Sequence, residues 1–134
     1  MKKLILLLLF IPLVSYSQLD IGKTKSQIKA KFSSTPCEEE QRTLIYCSSD
    51  GNMIGYVFTN NVCESVQFYT AYTSKYKADI ELEKAINSFA RENNQTPMTR
   101  GGMTSFTGVK GVGVTFAVIQ FKGSYYVRQI YQAY

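Results

Sequence analysis

The chain has 134 residues, of which 45% are hydrophobic, 13% aromatic and 19% charged, and it contains no histidine and no tryptophan. That length suits one domain with a core of its own and no obligatory staples. The formal net charge of +5 falls to +3 once Lys2 and Lys3 are discounted, a value that hardly constrains partners.

Lys2 and Lys3 precede an apolar run from Leu4 to Val14, followed by the small residues of Ser15-Tyr16-Ser17. This is the pattern of a secretory signal, with cleavage expected after Ser17. Eleven apolar residues interrupted by Pro12 fall short of the roughly 20 that a bilayer core requires, so no membrane span is expected after cleavage. The mature chain, residues 18–134, is then a single domain that is periplasmic or secreted.

Thr24-Lys25-Ser26-Gln27 has the form of a capping box and predicts a short helix, with Ile28 and Phe32 on one face and an end near Ser33. Lys23, Lys25, Lys29 and Lys31 cluster there and Glu38-Glu39-Glu40 follow, which reads as a solvated helix face and a solvated loop. Three antiparallel strands come next, Thr43–Ser48, Met53–Thr59 and Val62–Thr70, separated by turn residues around Asp50-Gly51 and Asn60-Asn61. A two-residue Asp50-Gly51 turn sets Cys47 opposite Ile54 and Ile45 opposite Tyr56, giving one apolar face. A two-residue Asn60-Asn61 loop would align Cys63, Ser65 and Gln67 with that face. A three-residue loop from Thr59 to Asn61 aligns Val62, Val66 and Phe68 instead, and is preferred for its continuous apolar side.

Gly22-Lys23-Thr24-Lys25-Ser26-Gln27-Ile28, then Phe32, then the hairpin with Tyr56-Val57-Phe58, make residues 20–70 resemble the SmpA/BamE and β-lactamase-inhibitor-protein-like group. The resemblance implies a small exported domain that binds another envelope or secreted protein. Gln18 stands where the BamE pattern has a lipid-bearing cysteine, so outer-membrane anchoring is not implied.

Cys37, Cys47 and Cys63 in an exported chain predict one disulfide and one leftover thiol. Cys63 lies beside the start of the first strand and Cys47 at its far end, too far apart to bond. Cys37 immediately precedes that strand, so Cys37–Cys63 is the expected bond and Cys37–Cys47 the alternative. Cys47 is then left over on an apolar face, with no histidine to hold its thiolate, and is expected to be inert.

Ser74 or Thr73 caps a second helix reaching Asn93, with Ala78, Leu82, Ala85, Ile86 and Phe89 on one stripe. Beyond it, a strand at Met103–Thr107 precedes a hairpin of Val112–Phe121 and Ser124–Ala133 about Lys122-Gly123. Both alternating sets of Val114–Phe121 are apolar, which predicts a central strand covered on both sides. The last strand is expected to be half exposed and on an edge. Lys110-Gly111-Val112-Gly113-Val114-Thr115-Phe116 imitates a sheet signature of RNA-binding domains, but Val112 and Val114 stand where stacking rings are needed, so no nucleic acid is expected.

The expected fold class is α+β, a two-layer arrangement with two helices on one face of a mainly antiparallel sheet, in the order α-β-β-β-α-β-β-β. Nine tyrosines follow Tyr16, and those of the last strand suggest Tyr125, Tyr126, Arg128, Tyr131 and Tyr134 as a candidate partner surface. No cofactor motif or metal-ligand spacing is present, and no catalytic residues are assigned. The expected function is a non-catalytic protein-binding or envelope-accessory module. The alternatives are a small-ligand carrier with a cleft between helices and sheet, or a hydrolase using Asp20, Asp50, Glu64 or Asp79.

Overall fold

A computed structural model of the chain describes residues 20–109 and 111–134. The expected signal segment, residues 1–17, lies outside the described residues. Helix α1 (Lys25–Lys29) is followed by strands β1 (Glu38–Glu39), β2 (Thr43–Cys47), β3 (Met53–Thr59) and β4 (Val62–Tyr72). Helix α2 (Lys75–Asn93) then leads to β5 (Met98–Arg100), β6 (Met103–Val109), β7 (Val112–Phe121) and β8 (Ser124–Ala133). All eight strands form one antiparallel sheet in the order β1-β2-β3-β4-β8-β7-β6-β5.

The expected fold class is therefore corrected. The fold is β-rich, a single eight-stranded sheet with helices of five and nineteen residues, in place of six strands in a two-helix α+β arrangement. The two additional strands, Glu38–Glu39 and Met98–Arg100, are fully exposed edges of two and three residues, too short to show an apolar alternation. The last strand is corrected as well: β8 is hydrogen-bonded to β4 on one side and β7 on the other, so it has no free edge to offer a partner strand.

Strand alternation sends Leu44, Tyr46, Tyr56, Phe58, Val66, Phe68, Phe116 and Tyr131 to one face, where they form the core beneath the helices. Val114 and Phe106 continue this face, and Phe89 of α2 packs on Phe106 and Phe116 with ring centroids 4.7 and 5.6 Å away. The stripe expected on α2 is the one that docks: Ala78 and Phe89 are buried, and Leu82, Ala85 and Ile86 pack against the core. At the other end of the sheet, Ile28 of α1 is fully buried and Phe32 stacks on Tyr46 at 3.7 Å.

The expected register of the first hairpin is shifted by one residue, with Cys47 opposite Met53 and Leu44 opposite Tyr56. The cause is a three-residue loop in which Ser48 N–H donates to Asn52 O and Gly51 takes a φ of 88°. That slip moves Leu44 and Tyr46 to the core and sends Ile45 and Cys47 to the opposite face. In the second hairpin both Asn60 and Asn61 have positive φ, so the loop has two residues and Cys63 shares the core face with Phe58. The preferred three-residue loop is therefore corrected; a bulge between Val57 and Phe58 brings Val66 and Phe68 to that face instead, opposite Tyr56 and Ile54.

The disulfide is Cys37–Cys47, with Cα atoms 5.9 Å apart, and not the expected Cys37–Cys63. Strand β1 turns Cys37 back along β2, placing Glu38 opposite Ile45 and hence Cys37 beside Cys47. Closing this ten-residue separation stabilises the fold by about 2.7 kcal/mol in the chain-entropy treatment. The free thiol is Cys63, which is buried. No described helix is long and apolar enough to cross a membrane.

Candidate functional site: the open face of the sheet

Both helices lie on the core face, and no described element covers the other one. The registers carry a continuous row across that open face, Ile45, Gly55, Gln67, Ile130, Thr115 and Ser105. A neighbouring row runs from Cys47 through Met53, Tyr69 and Arg128 to Ala117, and a third joins Ala71, Tyr126 and Ile119. Water-facing sheet surfaces ordinarily carry many charges. Here the six inner strands, β2–β4 and β6–β8, hold only Glu64 and Arg128, and Glu64 sits at the bulge with Arg42 at 3.7 Å.

Arg128 is consequently an isolated charge in the middle of the open face. It is half-buried, stands opposite Tyr69 and Ala117, and has no carboxylate within ion-pair distance among the described residues. Burial pushes the Tyr69 phenol up, against the opposing pull of the Arg128 charge. Tyr69 O–H donates to Gln67 Oε1, and its ring meets Tyr126 edge-on with centroids 6.3 Å apart. Two tyrosines and an arginine on a surface otherwise depleted of charge have the composition of an interface centre.

Of the residues singled out in the last strand, Tyr126, Arg128 and Tyr134 lie on the open face. Tyr134 is 80% exposed at its margin, where its ring approaches Gly113 closely enough that a Cβ there would sit 3.2 Å from it. Tyr125 and Tyr131 point the other way, and Tyr131 is buried with its ring 5.7 Å from Phe68. Strand alternation divides the group, since residues adjacent in sequence belong to opposite faces.

The carboxylates considered for catalysis do not converge. Asp50 is bonded to Ser48 in the first hairpin loop, Asp79 to Lys75 at 2.7 Å on α2, and Glu64 to Arg42 at the bulge. Asp20 is buried and accepts from Lys31 Nζ at 2.6 Å, Lys23 Nζ at 2.9 Å and Tyr56 O–H at 3.2 Å. Burial works to raise its pKa, but Lys31 and Lys23 outweigh that and hold the carboxyl below its ordinary value.

The lysine cluster thus serves as a clamp for α1, where the sequence suggested a solvated face. Lys29 bonds Glu39 at 2.9 Å, and Lys25 bonds the Glu40 and Gln41 carbonyls while lying 5.4 Å from the Phe58 ring centre. Asp20, three residues before Lys23, was the overlooked signal. The Cys63 thiol is pushed up to about 11 by burial and donates to the Ser65 carbonyl at 3.4 Å, so it stays protonated at neutral pH. No group of three or more His, Cys, Asp or Glu residues among the described ones could hold a metal ion. No family model matches the chain, and neither a curated protein nor a solved structure does.

Proposed function

We propose that this chain is an exported, non-catalytic module that binds another envelope or secreted protein through the open face of its sheet. The observation that carries this reading is Arg128, a cation without a carboxylate partner among the described residues, set beside Tyr69 and Tyr126 on inner strands whose one other charge, Glu64, is paired with Arg42 at the bulge. A partner presenting an acidic side chain ringed by apolar ones complements it in both charge and hydropathy. A second copy of this chain does not, because a face-to-face pair would oppose Arg128 with an equally basic surface. The resemblance of residues 20–70 to exported binding domains points the same way.

Export rests on the leader pattern of residues 1–17, and the Cys37–Cys47 disulfide fits an oxidising compartment. The mature protein should begin at Gln18 when sequenced from the periplasm or medium. Binding is tested by capture from that compartment with three immobilised proteins: wild type, the double variant Tyr126→Ala/Arg128→Glu, and Tyr76→Ala on α2 as the control. A partner retained by wild type and Tyr76→Ala but lost by the double variant supports the reading. Equal capture by all three refutes it.

A further inference from the structure

Between α2 and the central strands runs a cleft of about 260 Å³, on the face opposite the docking surface. Its apolar walls include Phe89 and Ala85 from α2 with Phe116 and Val127 from the sheet. Gln129 also lines it, in a setting where an amide is out of place. It stands on a central strand, on the core face, flanked across the sheet by Phe68 and Phe116, and is 8% exposed.

Burying an amide is unfavourable unless its hydrogen bonds are made. Only part of Gln129 is satisfied. Tyr131 O–H donates to Oε1 at 3.3 Å, and the Nε2 donor, with no acceptor among the described residues, opens on the cleft. A buried amide with one end satisfied by the protein and the other turned to a cavity is the arrangement of a polar group reserved for a ligand.

The rim charges are Glu81, Lys84 and Glu92, of which Glu92 has no ion pair among the described residues, so an anionic ligand is disfavoured. Lys84 lies 3.4 Å from Glu81, which Lys77 also holds at 3.0 Å, so this part of the rim is neutralised internally. We propose that the cleft binds a small uncharged molecule with a carbonyl oxygen, such as an amide, ketone or ester, which accepts from Gln129 Nε2 while its apolar body rests against the wall formed by Ala85, Phe89, Phe116 and Val127. With about 30 Å³ per water-sized unit, the space suits a ligand of roughly ten non-hydrogen atoms.

Benzamide is a probe of that size, and toluene is its counterpart without a carbonyl. In a titration of the full mature protein followed by ¹⁵N-resolved NMR, benzamide should shift the Gln129 side-chain amide signals saturably. Gln129→Leu should weaken benzamide at least tenfold and leave toluene unchanged or tighter. The wild-type titration stands even if that variant folds poorly, and Gln129→Glu, which replaces the donor with an acceptor, should also weaken benzamide. Absence of a saturable shift at Gln129, or benzamide binding that survives both substitutions, overturns the proposal.

Discussion

Replacing Asp20 with Asn tests how α1 is held to the sheet. The carboxylate is 5% exposed and accepts three hydrogen bonds, two of them from Lys23 and Lys31. Asparagine keeps an oxygen for Tyr56 but removes the charge, and hydrogen bonds to charged groups contribute about 1.5–3 kcal/mol each. The two lysine side chains are 44% and 46% exposed and regain water when released, which offsets much of that loss. We expect a net destabilisation of about 2 kcal/mol, or a Tm lower by about 8 °C for a domain of this size.

The pH dependence follows from the sign of the shift. Asp20 is held below its ordinary value of 3.8 in the folded protein, so its contribution is present above the unfolded value and is lost as pH falls through the folded one. The gap between wild type and Asp20→Asn should be full at neutral pH and close progressively below about pH 3.8. Thermal unfolding followed by circular dichroism from pH 7 to acid measures both effects. Equal Tm values at pH 7, or a gap that persists unchanged in acid, would refute the clamp.

Three further outcomes follow from other parts of the fold. Replacing Cys37 and Cys47 together with Ser should lower stability by about 2–3 kcal/mol in urea unfolding, through loss of the loop constraint. Cys63, buried and with its thiol pushed up to about 11, should react with an alkylating reagent at neutral pH only at the rate at which the native protein opens, as read by mass spectrometry. Ser65 is 1% exposed and its Oγ has no hydrogen-bond partner, so Ser65→Ala should leave stability unchanged or raise it by about 1 kcal/mol in the same urea assay.

Much of the fold was legible where turn chemistry and apolar alternation agree. Lys122 and Gly123, both at positive φ, close the hairpin of Val112–Phe121 and Ser124–Ala133 with the expected boundaries. Thr24 forms the full capping box, and Ser74 accepts from Lys77 N–H at the start of α2. Registers were harder, because Asp50-Gly51 fits both a two-residue turn and a three-residue loop with Gly51 left-handed, and one residue exchanges the faces. The disulfide followed from β1, whose Glu-Glu pair carries no local strand signal. The sheet order was also out of reach. It places β8 beside β4 through pairings nearly sixty residues apart, such as Thr70 with Val127, and this turned an expected edge strand into the centre of the sheet. The open face became visible only with that order, since its single charge is scarce only when the strands are read across.

The most direct measurement of the docking account is site-specific photo-crosslinking from the two sides of the sheet. A photoreactive residue at Ile119 on the open face, or at Glu83 on the exposed side of α2, is introduced into protein expressed in its native compartment. The account predicts a discrete protein adduct from Ile119 that disappears when Arg128→Glu is added, with no adduct from Glu83. An adduct from Glu83 alone, or an Ile119 adduct indifferent to Arg128→Glu, would contradict it.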